Sequence, residues 1–212
     1  MRNWFGRWRA QGAGDRAPAS AASGLDSALF ALAPQGLDDA VMVPWEARAA
    51  ELGARSIAAA PAVETLKTLW ARDRHMGSLE PGEVQRLQRF LQFVAVGAGR
   101  EIIRQHEYGN FMVVLLRGAM AVDRCQPWGE RLRLAESRPG EILGEMSLLD
   151  SGVRFSACTT LTDCDVAALS AEAMDEMMRS DPRLAAAIAT LLARKLSLRL
   201  RAVSARLSDR PH

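Results

Sequence analysis

The sequence is poor in the residues that metal sites and disulfide frameworks need. Only three cysteines (Cys125, Cys158 and Cys164) and three histidines occur among 212 residues. Neither type is grouped at the short spacing of a zinc or iron–sulfur site, and an odd number of cysteines does not build a disulfide framework. We therefore expect no metal site, cysteines buried in strands as small hydrophobic side chains, and a reducing, cytoplasmic environment.

Strong net charge and long apolar runs are also missing. The formal net charge is +2, which does not indicate a dedicated nucleic-acid-binding protein. No apolar run reaches the roughly 20 residues of a membrane span, and there is no hydrophobic core of a signal peptide. What is present, 49% hydrophobic and 25% charged residues, is the composition of a globular domain with extensions.

The first 43 residues differ in composition from the rest. Trp4, Phe5 and Trp8 are mixed with three arginines, which suits either a short membrane-surface anchor or a frayed terminus. Residues 11–40 are rich in Ala, Gly, Ser, Asp and Pro without steady periodicity. Residues 1–43 are therefore predicted to be a disordered tail and linker.

Residues 44–78 are predicted to be a helical extension. Pro44 suits a first helical turn, and an Ala-rich helix over residues 44–60 would end at Pro61, followed by a second helix over 63–71. A third helix begins at Pro81, because Val84, Leu87, Leu91 and Val94 recur at helical spacing.

Beyond Gly97 the sequence changes to short strand-like runs separated by Gly, Pro and Asn. Residues 111–116 are apolar throughout, as a strand buried on both faces would be. In the run 131–136, Leu132 and Leu134 alternate with polar residues and are predicted to point inward. The runs are residues 101–105, 111–116, 119–124, 131–136, 141–143, 156–162 and 165–169. Their spacing predicts a sandwich or a closed barrel.

Two helices are predicted after the last run. Ser170 is a good N-cap for residues 171–179, whose methionines form an apolar stripe. Asp181 and Pro182 give a second start signal, and no Gly or Pro interrupts the chain until about residue 207.

The last helix carries two apolar stripes. One stripe comprises Leu184, Ile188, Leu191, Leu198 and Ala202, and the other comprises Leu192, Leu196, Leu200, Val203 and Leu207. We expect one stripe to cover the barrel and the other to form a homodimer seam. The alternative is a monomer in which the end of the helix frays and Arg199, Arg201 and Arg206 are solvated.

The stretch GEMSLLDSGVRFS, residues 144–156, indicates a binding site. Gly144 lets the backbone approach a ligand, and the short helical turn after it offers free N–H groups and the positive end of a dipole. Glu145 can accept hydrogen bonds from sugar hydroxyls, and the planar guanidinium of Arg154 suits a phosphate. Together they predict a site for a small ribose phosphate. The alternative is an ordinary connection in which Arg154 pairs with Glu145 on the surface.

This stretch resembles the phosphate-binding cassette of the cyclic nucleotide-binding domain family, whose motif reads roughly G-E-x-[AS]-L, a loop, then R-[AST]-[AS]. Gly144, Glu145, Ser147, Leu148 and Arg154 match that motif. The resemblance implies that Glu145 holds the ribose 2′-hydroxyl and that Arg154 holds the cyclic phosphate. The nucleotide-binding residues are expected to be Gly144, Glu145, Met146, Ser147, Arg154, Phe155 and Ser156.

The resemblance also implies a fold: mainly β with flanking helices, in which a β jelly roll is preceded by helices and followed by a long C-terminal helix. The domain would cover residues 79–207, with a tail at 208–212. Gly109 and Gly118 match the turn glycines of the family's jelly roll. In the family the preceding helices sense the ligand state and the C-terminal helix contacts the base.

Phe155 departs from the motif, because the family has a small residue after the arginine. Its ring either points into the barrel core, which leaves Ser156 to contact the phosphate, or blocks the pocket. In the second case the chain is an orphan barrel that binds no ligand and acts as an interaction module. A threonine at this position often accompanies cGMP in the family, so Phe155 favours cAMP over cGMP.

The implied function is that of a non-catalytic sensor. No nucleophile–base set is present, and His75, His106 and His212 are far apart, with His106 expected on the surface of a turn. The family's transcription factors carry a helix-turn-helix after the long helix, which this sequence does not show, so DNA binding is expected only as an alternative through the basic last helix. The expected output is an unidentified effector protein or membrane contact by the N-terminal residues.

Overall fold

A computed structural model describes residues 42–73 and 76–208, with side chains as far as residue 205. Predictions for residues 1–41, His75, His212, the tail and the side chains of Arg206 and Leu207 therefore lie outside the described residues. In chain order the elements are β1 Met42–Val43, α1 Trp45–Leu52, β2 Arg55–Ser56, α2 Ala59–Arg72, a 3-10 turn Met76–Ser78, α3 Pro81–Leu87, a 3-10 turn Gln88–Phe90, β3 Gln92–Val96, β4 Glu101–Ile103, β5 Tyr108–Gly109, β6 Phe111–Arg117, β7 Met120–Cys125, β8 Arg131–Ser137, β9 Ile142–Leu143, α4 Glu145–Asp150, β10 Ala157–Thr160, β11 Cys164–Ser170, α5 Ala171–Ser180 and α6 Pro182–Ser208.

Two antiparallel sheets form a β jelly roll. One sheet has the strand order β4-β10-β7-β8 and the other β2-β3-β11-β6-β9. Apolar side chains from both sheets, among them Ile102, Val113 and Val166, fill the space between them. The predicted mainly β fold with flanking helices and a long C-terminal helix is confirmed.

Strand β6 lies between two apolar layers. Phe111, Val113 and Leu115 contribute to the barrel interior, whereas Met112 and Val114 belong to the core that packs under the helices. A strand covered on both faces has no solvated side, which explains why its sequence is apolar throughout. The prediction from the apolar run is confirmed.

The N-terminal extension departs from the prediction because it is not wholly helical. Helix α1 ends at Leu52, where Gly53 adopts a φ of 63°, and the chain then forms β2, which pairs with β3. Pro61 does not end a helix. It lies in the first turn of α2, where backbone N–H groups have no intrahelical partner and proline costs little. Residues 42 and 43, assigned to the tail, instead form β1, which pairs with β5.

The third helix is shorter than predicted. Helix α3 ends at Leu87, and Val94 lies in β3, opposite Val166 of β11. The buried residues of this short helix and of the following strand are spaced as they would be on one longer helix. A short stretch of sequence does not distinguish these two cases.

Strand β8 is an edge strand that pairs only with β7, at the border of the four-stranded sheet. Its leucines are not buried, since Leu132 and Leu134 are 46% and 43% exposed. The prediction that both point inward is wrong for Leu132, whereas Leu134 lines a cavity beside β9 and α4.

The two C-terminal helices begin where the caps predicted. Ser170 Oγ accepts a hydrogen bond from Ala173 N at 3.2 Å, and Asp181 Oδ1 accepts one from Leu184 N at 3.2 Å. The first half of α6 packs against its own domain. The side chains that show this are at most 3% exposed, namely Leu184, Ile188, Leu191 and Leu192. The expectation that a whole stripe remains free for dimerisation is therefore wrong for this half. The exposed apolar side chains of the second half are Leu198, Leu200 and Val203.

The few cysteines and histidines of the described residues lie as follows. Cys158 and Cys164 are buried, as predicted, but Cys125 is exposed because it ends β7 at the open tip of the hairpin. His106 is exposed in a turn with a φ of 70°, as expected. Within the described residues no group of three His, Cys, Asp or Glu side chains could hold a metal ion, and no described helix is both long and apolar enough to cross a membrane.

Candidate functional site

The predicted cassette connects β9 to β10. Gly144 has a φ of 80° and is the N-cap of α4, the short helix that the sequence predicted. A Cβ on Gly144 would lie 2.6 Å from Arg154 Nη1 and 2.8 Å from Ile103 Cδ1. Glycine is therefore required here both for the left-handed backbone and for the room that Arg154 occupies.

Arg154 is 3% exposed and faces backbone oxygens. Its Nη1 donates to Gly144 O at 2.9 Å and its Nη2 donates to Phe111 O at 2.8 Å. Burial lowers the pKa of the guanidinium to about 10, so it remains charged at neutral pH. Its charge has no carboxylate partner within ion-pair distance among the described residues, and the alternative of an Arg154–Glu145 surface pair is not what the structure shows.

Gly109 shapes the other side of Arg154. A Cβ on Gly109 would lie 2.5 Å from both Nε and Nη2 of Arg154. The φ of Gly109 is not positive, so its requirement is for space rather than for a special backbone conformation. The match to a turn glycine pointed to this residue, but its role as a wall of the arginine site depends on a contact that no local pattern reveals.

Glu145 is 3% exposed and is paired with Arg199 of α6. Arg199 Nη2 also donates to Ile142 O at 3.2 Å. Only the alternative of a monomer with a frayed helix end has Arg199 solvated, and no pattern in the sequence predicts its partner. Its partner lies 54 positions away in the chain, and no helical or strand spacing connects the two.

One cavity of about 660 Å³ brings most of the predicted residues together. Six of the seven predicted residues line it, namely Gly144, Glu145, Met146, Arg154, Phe155 and Ser156. Ser147 does not, because its side chain is buried within α4. Helix α6 closes one side through Arg199, Ala202 and Val203, which is where the resemblance placed a lid.

Phe155 is 53% exposed, so of the two alternatives for its ring, the one in which it packs in the barrel core is wrong. Arg154, the residue before it, takes the inward position. The Arg124 guanidinium lies 3.8 Å from the centre of the Phe155 ring, and Arg124 Nη1 donates to Phe155 O at 3.2 Å. The ring therefore stands at the edge of the cavity, supported from the barrel side.

A second cavity of about 610 Å³ lies between α4 and α6. Its walls are mostly apolar and include Met146, Leu149, Leu196 and Leu200. Five residues line both cavities, so the two are neighbours: Glu145, Met146, Phe155, Arg199 and Val203.

Helix α1 lies behind Arg154. Trp45 is fully buried and meets Phe111 edge to face, with ring centres 5.2 Å apart, while the Arg154 guanidinium lies 4.4 Å from the centre of the same Phe111 ring. Arg48, which is 1% exposed, forms an ion pair with Glu107, whose backbone oxygen accepts from Arg154 N at 2.8 Å. Helix α1 thus contacts Phe111 and Glu107, two residues that themselves contact Arg154.

Comparison with known proteins agrees with this geometry. Residues 93–181 match the cyclic nucleotide-binding domain family. The chain is 33% identical over 118 residues to the cyclic AMP receptor protein of Thermus thermophilus, covering 56% of this chain and 55% of that protein. It is 27% identical over 118 residues to the CRP-like cAMP-activated global transcriptional regulator of Mycobacterium tuberculosis, covering 56% and 53%. The chain spans about half the length of these curated relatives.

The fold also agrees. A cyclic nucleotide-binding domain from Methylobacillus flagellatus superposes with a TM-score of 0.66 at 22% identity, covering 75% of this chain and 89% of that one. At this identity the likeness concerns the fold alone. The likeness to the family rests on the cassette residues and on the match over the barrel and α5. Over residues 93–181 this chain therefore matches the cyclic nucleotide-binding domain family.

Proposed function

We propose that this chain is a non-catalytic, cytoplasmic sensor that binds cAMP in the 660 Å³ cavity and signals to an effector protein through its helices. The observation that carries the proposal is the meeting of Glu145, Arg154 and α6 around this one cavity. The named activities of the curated relatives, a cyclic AMP receptor and a cAMP-activated regulator, favour cAMP as the ligand.

The cyclic phosphate would bind at Arg154. This guanidinium donates to two neutral carbonyl oxygens, those of Gly144 and Phe111. A phosphate oxygen is a stronger acceptor than a carbonyl, so the ligand competes well for these donors. The free N–H groups in the first turn of α4 would add further donors, although the helix is too short to form a site alone.

The ribose would bind at Glu145. Its carboxylate already accepts from Arg199, so a ribose 2′-hydroxyl must share this acceptor or displace the guanidinium. Ligand binding would therefore alter the contact between the cassette and α6. This exchange gives the sensor a physical route from the site to its C-terminal helix.

Binding is tested by calorimetry with cAMP and cGMP. Removing a hydrogen-bonding partner from a charged group costs about 1.5–3 kcal/mol, so Arg154→Ala should weaken cAMP binding at least about tenfold. Glu145→Gln should have a smaller effect, since an amide oxygen still accepts from a hydroxyl. Arg100→Ala, which removes an exposed arginine of the same barrel, is the matched control. Wild-type affinity in Arg154→Ala would refute the site.

A wild-type protein that binds no cyclic nucleotide would instead favour the orphan interaction module. One observation supports this second candidate. Arg154 is already satisfied by two carbonyls, and Phe155 stands at the cavity edge where the family has a small residue.

We further propose that the second half of α6 forms a homodimer contact. Leu198, Leu200 and Val203 are 42%, 68% and 52% exposed, and of the three only Leu198 lines neither of the two cavities. Sedimentation should show a dimer for the wild type and a weaker dimer or a monomer for Leu198→Glu. A wild-type monomer at high concentration would contradict the dimer without affecting the nucleotide site.

A further inference from the structure

Phe155 lies where the two cavities meet and has no role in the binding mode above. It lines both the 660 Å³ cavity and the 610 Å³ cavity between α4 and α6. It is 53% exposed, which is unusual for a phenylalanine in a domain whose other phenylalanines, such as Phe93 and Phe111, are buried. The ring therefore contributes little to the core and is accessible from the two cavities.

The ring is held in this exposed position by the barrel. The Arg124 guanidinium lies 3.8 Å from the ring centre, and its Nη1 binds the backbone oxygen of Phe155 at 3.2 Å. One face of the ring is thus covered by a cation. The remaining ring surface lines the two cavities, and a fixed aromatic surface in a cavity is suited to stacking with a nucleobase.

The two cavities offer different chemistry. The first holds Glu145 and Arg154, which provide for one ribose and one phosphate. The second has apolar walls from Met146, Leu149 and Leu200, which favour a flat base over a sugar or a phosphate. Arg199 lines both cavities and places a positive charge at their junction.

We propose that the site takes a nucleotide with two base-bearing units, of the cyclic dinucleotide class. One unit occupies the first cavity, its phosphate at Arg154. The second phosphate meets Arg199 at the junction, and the second base stacks on Phe155 between α4 and α6. This inference rests on the proposed function for the first cavity only, and it assigns to Phe155 a contact that a mononucleotide would not use.

The test compares cAMP with cyclic di-GMP and cyclic di-AMP by calorimetry on the full chain. Loss of a base–aromatic stack typically costs about 1–3 kcal/mol, so Phe155→Ala should weaken binding of a cyclic dinucleotide at least about fivefold and change cAMP affinity less than about twofold. Arg124→Gln, which frees the ring, should weaken the dinucleotide in the same direction. Phe155→Trp should restore it.

The control is Leu161→Ala, which removes a 42% exposed apolar side chain outside both cavities and should leave both ligands unchanged. Tighter binding of both ligands to Phe155→Ala would identify the ring as a block and overturn the inference. Binding of cAMP without either dinucleotide would overturn it while leaving the proposed function intact. If no nucleotide binds the wild type, both fail.

Discussion

On the α1 side of the cassette the contacts are mostly buried, and they comprise an aromatic pair and the Arg48–Glu107 ion pair, in which Arg48 is 1% exposed. On the α6 side the contact is an ion pair that is half exposed. Trp45 is fully buried and Phe111 is 2% exposed, and together they stand behind Arg154. Across the cavity, Glu145 is paired with Arg199, whose side chain is 51% exposed. Arg154, the proposed phosphate-binding residue, is thus backed by packed core, whereas Glu145, the proposed ribose-binding residue, is backed by the half-exposed Arg199.

The energies of the two kinds of contact differ. Removal of a buried aromatic side chain costs about 3–5 kcal/mol, whereas an exposed ion pair contributes about 0–1 kcal/mol. The α6 side can therefore open at little cost, while the α1 side keeps the shape of the arginine site. The contact between Glu145 and Arg199 is therefore the one that a ligand can change. We expect binding to move α6 rather than α1.

The largest effect should come from Trp45→Ala. The side chain fills the end of the barrel against Phe111, so its loss should lower the free energy of unfolding by about 3–5 kcal/mol. Denaturant unfolding followed by circular dichroism measures this loss. The control Trp128→Ala removes a tryptophan that is 72% exposed and should change stability by less than about 0.5 kcal/mol. Equal losses in the two variants would show that α1 does not anchor the site.

The second effect concerns the walls of the arginine site. Gly109→Ala would place a Cβ 2.5 Å from Nε and Nη2 of Arg154, so the guanidinium must move. Overpacking of this kind costs about 1–3 kcal/mol, and we expect cAMP affinity to fall at least about tenfold because the phosphate donors shift. Gly82→Ala is the control, since a Cβ there meets nothing within 4 Å. Unchanged cAMP affinity in Gly109→Ala would mean that the position of Arg154 is not set from this side.

The sequence predicted the site residues that lie close together in the chain and missed those whose partners are distant in sequence. Gly144, Glu145 and Arg154 lie within eleven positions of one another, and a local motif was enough to place them at one cavity. Trp45 and Arg199 are distant in sequence from the cassette, and each was reached only through the fold. A tryptophan in an Ala-rich helix and an arginine in a basic helix carry no pattern that names their partners.

The fold shows the same limit. The strand runs after Gly97 were predicted because turn residues separate them, and the caps Ser170 and Asp181 marked the helices after the barrel. Strand β2 was missed because two residues, Arg55 and Ser56, are too few to show alternation and become a strand only by pairing with β3. Phe155 was assigned to the core or the pocket, since the sequence does not reveal that Arg124 would hold it at the edge.

A smaller effect is expected on the α6 side. Arg199→Gln removes the charged partner of Glu145, whose side chain is only 4% exposed, but Arg199 is 51% exposed and glutamine keeps an amide donor for the carboxylate. The loss should therefore be about 1 kcal/mol, the upper end for a surface ion pair. Hydrogen exchange should therefore quicken by at most about fivefold, and only in the second half of α6. Arg201→Gln is the control, because Arg201 is exposed on the same helix and has no ion-pair partner among the described residues. Faster exchange in α1 would contradict the separation of the two sides.

The smallest effect should come from salt, which tests the difference between the α1 side and the α6 side without a mutation. Between about 0.01 M and about 1 M salt the Debye length falls from about 30 Å to about 3 Å. The half-exposed Arg199–Glu145 pair should weaken over this range, whereas the edge-to-face contact of Trp45 with Phe111 involves no charge pair to screen. Hydrogen exchange in the second half of α6 should therefore quicken with salt in the wild type, by less than Arg199→Gln alone achieves. In Arg199→Gln itself the salt dependence of the residues after Lys195 should largely disappear, because the Arg199–Glu145 pair is absent and the Lys195–Asp73 pair lies before them. Exchange in α1 should respond less to salt in both proteins, because Arg48 of its Arg48–Glu107 pair is 1% exposed and a buried pair is screened less than an exposed one. A salt response of equal size in Arg199→Gln and in the wild type would show that other charges of this basic helix, rather than Arg199, hold it against the cassette.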